Sequence, residues 1–369
     1  MYIKNIFLEN YRNIENIEFS PCNGVNVIYG DNAQGKTNIL ESVWLITGCK
    51  SFRSCTDDDL ITFNKDFSNI KVDYFNDVRD IKTEICITHK KKGAKVNGVL
   101  KKSTRELMGT FLAVIFSPSH LSLVQDGPSE RRKFLDIAIS QINVKYAENI
   151  KNYNTVLKQK SAYLKDEAFL DNFEMLNIYN EKLSEFGSYI IFERSKYINE
   201  LSGFVKDIYS GISEYKEKIE IIYKNDSNLN RKNIGEIRKS LLLWYKSKSQ
   251  EEKKYKTSLV GPQKDDIEIL INNISARKFG SQGQQRSCAL ALKLAESKVL
   301  ESRTGHIPIA ILDDVMSELD VKRQEYILNH INNRQVFITC CDPSQVIRQY
   351  SGSSFLVEKG KIVKTEKFD

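Results

Sequence analysis

A segment near the N-terminus has the residue types and spacing of a phosphate-binding loop. The pattern G-x-x-x-x-G-K-[ST] is matched by Gly30, Asp31, Asn32, Ala33, Gln34, Gly35, Lys36 and Thr37. Glycine lets such a loop wrap closely around phosphate with its backbone N–H groups pointing inward. Lys36 is expected to reach the β- and γ-phosphates of a bound nucleotide, and the Thr37 hydroxyl to bind Mg²⁺. The alternative is a glycine-rich turn before a helix, with no ligand.

A pair of carboxylates follows a strongly apolar run later in the chain. The run Ile309-Ala310-Ile311-Leu312 predicts a buried strand, and Asp313 stands at its C-terminal end, where ligands bind in open α/β sheets. We expect Asp313 to hold Mg²⁺, directly or through water, together with Thr37. Asp314 is expected to orient or activate the attacking water, so Asp314 and Lys36 are the catalytic candidates. Taken alone, the segment could also be a strand that ends in a polar turn.

A third segment has the character of an anion site at a helix N-terminus. It opens the predicted helix 284–300 and consists of Ser281, Gln282, Gly283, Gln284 and Gln285. Two phosphate sites in one chain would be redundant. In a head-to-tail dimer, however, the phosphate-binding loop of one subunit and the Ser281 segment of the other would enclose one nucleotide. The alternative is an ordinary capped helix.

The elements that must position these segments can be predicted from the apolar patterns. An N-terminal antiparallel pair, a β-branched run before Gly30 and a helix after Lys36 indicate an α/β lobe. From Ser129 to about Tyr255 there is no proline, and apolar residues recur at helical spacing. We therefore predict an α/β lobe with a mixed sheet from 1–125 and 260–369. A mostly helical lobe, 126–259, is inserted and is too short for a long coiled coil.

Charge is informative only where it clusters, because 55 Lys and Arg residues against 48 Asp and Glu give a modest net charge of +7 in 369 residues. One predicted hairpin around Asn97-Gly98 is basic and contains no acid. Its basic residues are Lys90, Lys91, Lys92, Lys95, Lys101, Lys102 and Arg105. They are candidate contacts for DNA phosphates. The alternative is a solvated edge hairpin in which lysines prevent aggregation.

Cysteine use and hydropathy indicate the compartment. The seven cysteines are scattered without a CxxC pair, which favours a reducing interior over a disulfide framework or a zinc site. The N-terminus lacks the features of a signal peptide, and the apolar runs are too short to span a bilayer. We expect a soluble, cytoplasmic protein without a membrane contact.

Together these segments resemble the ABC-type ATPase heads of the SMC and Rad50 class, and within that class the RecF family of bacterial recombination mediators. The resemblance also covers a D-loop at Ser317, Glu318, Leu319 and Asp320. It extends over further segments, which are Leu8–Asn13, Ser51–Arg53, Phe116–Pro118, Gly127-Pro128, Arg131–Asp136 and Gly261–Asp266. It implies an ABC-type ATPase head as the α/β lobe.

The chain departs from the wider ABC pattern in three places. Asp313-Asp314 stands where many ABC ATPases have Asp-Glu, and the shorter carboxylate fits slow hydrolysis. The segment Phe337–Asp342 reads FITCCD, where the RecF family leads us to expect Thr-Thr-Thr-Asp, and no switch histidine is visible. Asp342 is a candidate γ-phosphate sensor through water. The loop Ser117–His120 is expected to replace the usual glutamine loop.

The resemblance implies a slow, DNA-stimulated ATPase that acts as a switch in DNA replication, recombinational repair and the SOS response. The chain would dimerise on ATP, bind duplex DNA near single-strand gaps, and assist RecA loading with RecO and RecR. Alternatives are the ATPase subunit of a transporter, a Rad50-like nuclease partner and a metabolic kinase. No membrane segment supports the first and no coiled-coil arm the second, and the Ser281 segment argues against the third.

Overall fold

The computed structural model describes residues 1–53, 55–166, 173–225, 233–331 and 333–369. This described part of the chain divides into two compact units. Unit 1 contains Met1–Leu121 and Ala289–Asp369, and unit 2 contains Ser122–Cys288.

Strands predominate in the first third of the chain, helices in the middle, and the two alternate towards the C-terminal end. In chain order the strands are β1 (Tyr2–Tyr11), β2 (Ile14–Phe19), β3 (Val25–Tyr29), β4 (Phe67–Phe75), β5 (Asp80–Thr88), β6 (Lys92–Val96), β7 (Val99–Lys101), β8 (Ala113–Phe116), β9 (Ile219–Lys224), β10 (Asp266–Ile271), β11 (Ile274–Ser275), β12 (Ile309–Asp313), β13 (Val336–Cys340), β14 (Gly352–Glu358) and β15 (Lys361–Phe368). The helices are α1 (Lys36–Leu45), α2 (Ser122–Gln125), α3 (Pro128–Ile142), α4 (Val144–Tyr163), α5 (Phe173–Ile212), α6 (Ile234–Tyr255), α7 (Ala276–Phe279), α8 (Gln282–Thr304), α9 (Val321–Ile331) and α10 (Ser344–Ile347).

The first sheet of unit 1 is antiparallel, with the strand order β2-β1-β4-β5-β6-β7. Its inner face is apolar, since Ile3, Ile6 and Leu8 alternate with more exposed residues along β1 and are fully buried. The turn between β6 and β7 is formed by Asn97 and Gly98, whose φ angles of 50° and 80° suit a tight hairpin. The predicted N-terminal strand pair and basic hairpin are both present.

The second sheet of unit 1 has the order β15-β14-β3-β13-β12-β8. It is parallel from β14 to β8, and β15 is the antiparallel edge strand. The central strands are apolar because both faces are covered, and Ile309 to Leu312 in β12 are at most 1% exposed. Parallel strands end at the same edge of a sheet. The residues that follow β3, β12 and β13 therefore lie side by side.

Unit 2 is mostly helical, with α3 to α6 beside a sheet of order β11-β10-β9. The helix α5 contains 40 residues and packs against α4, α6 and β9 within the unit. The strand β9 lies inside the region predicted to be helical. Its residues IEIIYK alternate between buried and exposed positions as β9 pairs with β10.

The segment that ends the insertion is held within unit 2 by buried polar contacts. Arg194 donates to the backbone oxygen of Pro262 at 2.8 Å, and Arg131 forms two bonds with Asp266 at 2.7 and 3.0 Å. Arg131 is only 4% exposed, so it has a structural role. A Cβ atom at Gly261 would lie 2.1 Å from the Tyr153 hydroxyl, which explains the glycine.

These contacts explain where the compact units divide. The first division, after Leu121, lies close to the predicted boundary 125/126. The second follows Cys288 inside α8, later than the predicted 259/260, because β10 pairs with β9 and carries Gly261–Asp266 and the Ser281 segment into unit 2. In the part of the chain that the structure describes, no helix is both long and apolar enough to cross a membrane.

Candidate nucleotide-binding site

The phosphate-binding loop lies between β3 and α1, and two of its glycines are required by their surroundings. Gly30 has a φ of +142°, and a Cβ atom there would lie 2.4 Å from the Val357 oxygen. Gly35 has a φ of +111°, and a Cβ atom there would lie 2.9 Å from Oδ1 of Asn13. Side chains at these positions would be strained and would displace neighbouring residues. Asp31, Asn32 and Ala33 between them are exposed.

The Lys36 ammonium group is folded into this loop. Its Nζ donates to the backbone oxygens of Gly30 at 2.6 Å and of Asp31 at 2.8 Å, and the residue is 8% exposed. An ammonium group has three donors, so these two bonds leave a third N–H for an anion in the loop. The cation is therefore positioned by the backbone.

The Asp313 carboxylate connects the ends of three elements. Its Oδ1 accepts from the hydroxyl of Thr37 at 2.7 Å and from that of Thr339 at 2.9 Å. Burial raises the pKa of Asp313, and the nearby charge of Asp314 adds to this, while the two hydroxyl bonds and Arg53 oppose it. Thr339 is at the end of β13 and lies opposite Asp313 in the parallel register. No sequence motif predicts a role for Thr339 at this site.

Asp314 has a different environment from its neighbour. It is exposed and has a φ of +52°, in the left-handed region. Its backbone N–H donates to the Thr339 hydroxyl at 2.9 Å, and its backbone oxygen accepts from Ser317 Oγ at 3.0 Å. One threonine hydroxyl thus fixes both carboxylate residues, accepting from the backbone of Asp314 and donating to the side chain of Asp313.

The turn between β14 and β15 supports the phosphate-binding loop from outside. The Lys359 N–H donates to Oε1 of Gln34 at 2.6 Å, and the Gly360 N–H donates to the Gln34 backbone oxygen at 3.0 Å. The thiol of Cys341 lies 3.3 Å from Oδ1 of Asn32. Nothing in the loop motif itself predicts these contacts, since their partners come from the C-terminal part of the chain.

The helix α1 is anchored by a buried carboxylate, Glu41, that the motif also does not predict. Glu41 receives two bonds from Arg12, at 2.5 and 2.8 Å, one from Tyr11 at 2.9 Å and one from Ser51 at 2.5 Å. Burial alone would raise the pKa of Glu41, but the bonds from Arg12, Ser51 and Tyr11 hold it below its ordinary value. Arg12 lies in the segment Leu8–Asn13 that carried part of the family resemblance.

The residues present fit ATP and Mg²⁺. The loop follows β3 directly, and only glycine fits at Gly30 and Gly35, where a Cβ atom would clash with the Val357 oxygen and with Oδ1 of Asn13. Its cation is Lys36. Thr37 and Asp313, in direct contact, offer the hydroxyl and carboxylate oxygens that Mg²⁺ prefers.

The Ser281 segment in unit 2 begins α8 with a reciprocal cap. The Gln284 N–H donates to Ser281 Oγ at 3.2 Å, and the Ser281 N–H donates to Gln284 Oε1 at 2.8 Å. Ser281 and Gln282 are exposed, whereas Gln285 is 8% exposed and donates to the Ala276 oxygen at 3.1 Å. The Ser281 oxygen is an acceptor in this cap, so the cap does not use its O–H hydrogen.

Comparisons with known proteins assign this architecture to a family. The family model described as "RecF/RecN/SMC N terminal domain" matches residues 2–361. A protein of Clostridium acetobutylicum named "DNA replication and repair protein RecF" is 41% identical, with 98% of this chain and 99% of that protein covered. This chain belongs to the RecF family.

Other comparisons agree with this. A Clostridium perfringens RecF is 38% identical over 98% of this chain and 97% of its own length. A solved structure of "the recombination mediator protein RecF-ATP in RecFOR pathway" superimposes with a TM-score of 0.90 and 37% identity, covering 100% of this chain and 98% of the other. An SMC head of Pyrococcus furiosus has a TM-score of 0.56 and 14% identity over 100% of this chain and 96% of its own, which shows a shared fold. The predicted ABC-type head fold and the RecF family are confirmed.

The predicted D-loop follows β12 directly. Ser317 bonds to the Asp314 backbone as described, and Asp320 accepts from the Arg323 N–H at 3.0 Å at the start of α9. Glu318 and Asp320 are exposed, and Leu319 is partly exposed. The loop therefore presents side chains outward beside the carboxylate pair, and its role as a D-loop stays a prediction.

The two segments that depart from the wider ABC pattern have local contacts. Asp342 accepts from the backbone and hydroxyl of Ser344, at 2.9 and 2.5 Å, so its carboxylate caps the following turn. The Ser117 N–H donates to Nδ1 of His120 at 2.9 Å, closing the turn after β8. Their roles toward nucleotide stay predictions.

The basic residues of the hairpin differ in how far their side chains are exposed. Lys90, Lys91, Lys95 and Lys102 are exposed. Lys92 is different, since it points to the same face as the buried Ala94 and its Nζ lies 3.0 Å from Asp57. Lys101 and Arg105 are only partly exposed. The exposed lysines are the stronger candidates for a phosphate contact.

Proposed function

We propose that this chain is an ATP-controlled DNA-binding clamp and recombination mediator of DNA replication and repair. ATP binding closes a head-to-tail homodimer on duplex DNA near single-strand gaps, and hydrolysis reopens it. The observation that carries the proposal is the contact of Thr37 with Asp313 beside the Lys36 loop, in a chain that aligns with RecF proteins over nearly its full length.

Nucleotide binding is assigned to the loop residues. The N–H groups between Gly30 and Thr37 and the Lys36 ammonium bind phosphate oxygens. Thr37 and Asp313 hold the metal ion, which when bound offsets phosphate charge. Because burial raises the pKa of Asp313, a cation beside it also stabilises its charged form.

Hydrolysis is assigned to Asp314. Its carboxylate is exposed, whereas that of the adjacent Asp313 is buried, and its backbone is left-handed. It orients the attacking water and accepts its proton. An aspartate reaches less far than the glutamate of many ABC ATPases, which supports a slow ATPase that works as a switch and is stimulated by DNA.

Dimer closure is assigned to the Ser281 segment of the second copy. The Ser281 hydroxyl can donate to a phosphate without breaking its cap, because its bond to Gln284 uses only the oxygen as acceptor. The positive end of α8 adds attraction for anions. Gln282 and Gly283 would complete this surface, and Ser317 to Asp320 of each D-loop would lie at the same interface.

DNA binding is assigned to the exposed lysines of the basic hairpin, and it should be independent of sequence because lysines there contact phosphates. The solved structures similar to this chain are of RecF in the RecFOR pathway. On that basis RecO and RecR are the proposed partners, and RecA loading at gapped DNA is the proposed outcome.

Light scattering with and without ATP, Mg²⁺ and duplex DNA tests this function. The wild type should become dimeric only with ATP. Lys36→Ala should lose ATP binding and dimerisation together, whereas Ser281→Arg should bind ATP as a monomer and fail to dimerise. Asp314→Asn should bind ATP, hydrolyse it about tenfold or more slowly, and accumulate as a dimer that leaves DNA slowly.

Two results would contradict the proposal. A Ser281→Arg protein that dimerises as well as the wild type would exclude the shared nucleotide site. An Asp314→Asn protein that hydrolyses ATP normally would exclude that residue as the catalytic carboxylate.

A further inference from the structure

A carboxylate in unit 2 connects the end of the long helix α5 with the Ser281 segment. Oε2 of Glu217 accepts from the hydroxyl of Tyr209 at 2.6 Å. Oε1 of the same side chain accepts from Nε2 of Gln284 at 2.7 Å. Tyr209 is fully buried, while Glu217 is half-buried, so this contact lies at the border between the core of unit 2 and its surface.

The bond to Glu217 determines which way the Gln284 amide points. Oε1 of Gln284 must face the Ser281 N–H to accept its bond, and Nε2 must therefore face away from it. The Glu217 carboxylate has only acceptors, so it selects this orientation. Without that carboxylate the amide could rotate by half a turn and place its NH₂ group against the Ser281 N–H. Two donors would then face each other and the cap would open.

The segment that carries Glu217 is itself held in a strained conformation. Glu214 and Tyr215, between α5 and β9, have φ angles of 52° and 61°, and Tyr215 is 86% exposed. Two successive left-handed residues without glycine are costly and need support from neighbours. The Lys218 N–H donates to Oδ1 of Asn272 at 2.9 Å, which anchors the segment to the turn between β10 and β11.

We propose that Glu217 is a positioning residue for the trans half of the nucleotide site. It fixes the amide of Gln284, the amide fixes the cap, and the cap presents the Ser281 hydroxyl to the nucleotide held by a second copy. This inference rests on the proposed dimer function.

The test compares two substitutions at Glu217 with a control in the same segment. Glu217→Met removes the acceptors at similar length. Glu217→Gln keeps an oxygen that accepts from Gln284, and its NH₂ group can donate to the Tyr209 oxygen. It should therefore keep most of the support that Glu217 gives to the cap. Glu214→Met changes an exposed side chain in the same segment that bonds to Lys216 and not to Gln284.

Hydrogen exchange in the ATP-free protein measures the cap directly. Amides of the peptide covering 280–287 should exchange about tenfold faster or more in Glu217→Met, as expected for losing one hydrogen bond to a charged group. They should be unchanged in Glu214→Met and close to wild type in Glu217→Gln. ATP-dependent dimerisation of Glu217→Met should need about tenfold more protein, with ATP binding to the monomer unchanged.

The two readouts separate failure of this inference from failure of the proposed function. Wild-type exchange in Glu217→Met overturns the positioning role, whatever the dimer assay gives. Faster exchange with wild-type dimerisation also overturns it, because the cap would then not matter to the site. If exchange responds as expected but the wild type never dimerises with ATP, the proposed dimer function is the part that fails, and the inference about the trans site falls with it.

Discussion

Thr339→Val is the most direct test of the carboxylate pair. Valine has nearly the same shape as threonine and suits a buried strand, so the substitution removes little except the hydroxyl. In the structure that hydroxyl accepts from the Asp314 N–H at 2.9 Å and donates to Oδ1 of Asp313 at 2.9 Å. Both bonds are lost together.

The expected magnitude follows from these two bonds. A hydrogen bond to a charged group is worth about 1.5–3 kcal/mol, and an N–H left without an acceptor costs about 1–3 kcal/mol. The left-handed backbone of Asp314 is unfavourable by about 1–2 kcal/mol and loses one of its supports. If roughly 1.4–2.8 kcal/mol of this lost stabilisation is added to the activation free energy of hydrolysis, ATP turnover falls about ten- to a hundredfold.

The effect on the metal should be smaller than the effect on turnover. Asp313 keeps its bond from Thr37 at 2.7 Å, so its carboxylate stays in place. Single-turnover ATP hydrolysis measured over a Mg²⁺ titration separates the effect on turnover from the effect on metal binding. The limiting rate should fall more than the apparent Mg²⁺ affinity. Thr339→Ser keeps the hydroxyl and should remain within about threefold of the wild-type rate, well below the cost of losing such a bond.

Two outcomes would refute this reasoning. A Thr339→Val protein with the wild-type rate would show that Asp314 needs no support from Thr339. Equal losses in Thr339→Val and Thr339→Ser would show that turnover responds to any change of side chain at this position and does not depend specifically on the hydroxyl.

Three further predictions concern other parts of unit 1. Glu41→Gln should lower the free energy of unfolding by about 3–5 kcal/mol at pH 7, because Arg12 loses its buried partner. The pKa of Glu41 is lowered in the folded state, so its ionised carboxylate stabilises the fold fully above the ordinary carboxyl pKa of about 4.3. This stabilisation is lost as the pH falls through the lower pKa of the folded state, and urea denaturation at several pH values would show the loss. ATP should slow alkylation of Cys341, which lies beside Asn32, and leave that of the exposed Cys86 unchanged; mass spectrometry of the labelled peptides checks this, and equal protection would place the nucleotide elsewhere. Replacing Lys90, Lys91 and Lys95 with Glu should weaken duplex binding and flatten its salt dependence while ATP binding persists, and an unchanged slope would leave the hairpin as a protected sheet edge.

Those parts of the site that a local pattern encodes could be predicted from the sequence. The loop motif placed Gly30, Gly35, Lys36 and Thr37 correctly between a strand and a helix, because each residue type answers a local requirement. Asp313 could be predicted because an apolar run defines a buried strand and its end. The expectation that Thr37 and Asp313 share one metal ion follows from combining these two patterns, and the direct bond between them is a finding of the structure.

Contacts that depend on strand register or on a distant turn could not be predicted in this way. Thr339 reaches Asp313 only because β13 lies beside β12 with these two residues in register. Lys359 supports Gln34 because β14 is the neighbour of β3 on its other side. The strand β9 was missed since a short alternating segment between long helices gives a weak signal, and its partner β10 is distant in sequence. The lysines of the basic hairpin are adjacent in sequence, but the two-residue period of β6 places Lys92 and Lys95 on opposite faces.

The carboxylate pair also explains how one short segment can separate binding from turnover. Asp313 is buried, and its charge is costly until a cation is present. Asp314 is exposed and held by its backbone, so its side chain keeps access to water. Both residues bond to the Thr339 hydroxyl, which accepts from the Asp314 N–H and donates to the Asp313 carboxylate. Loss of the Asp313 charge should therefore weaken nucleotide and metal binding, whereas loss of the Asp314 charge should leave binding intact and slow the reopening of the dimer. In the proposed clamp these two steps would have to be separable, because the dimer would stay closed on DNA between ATP binding and hydrolysis.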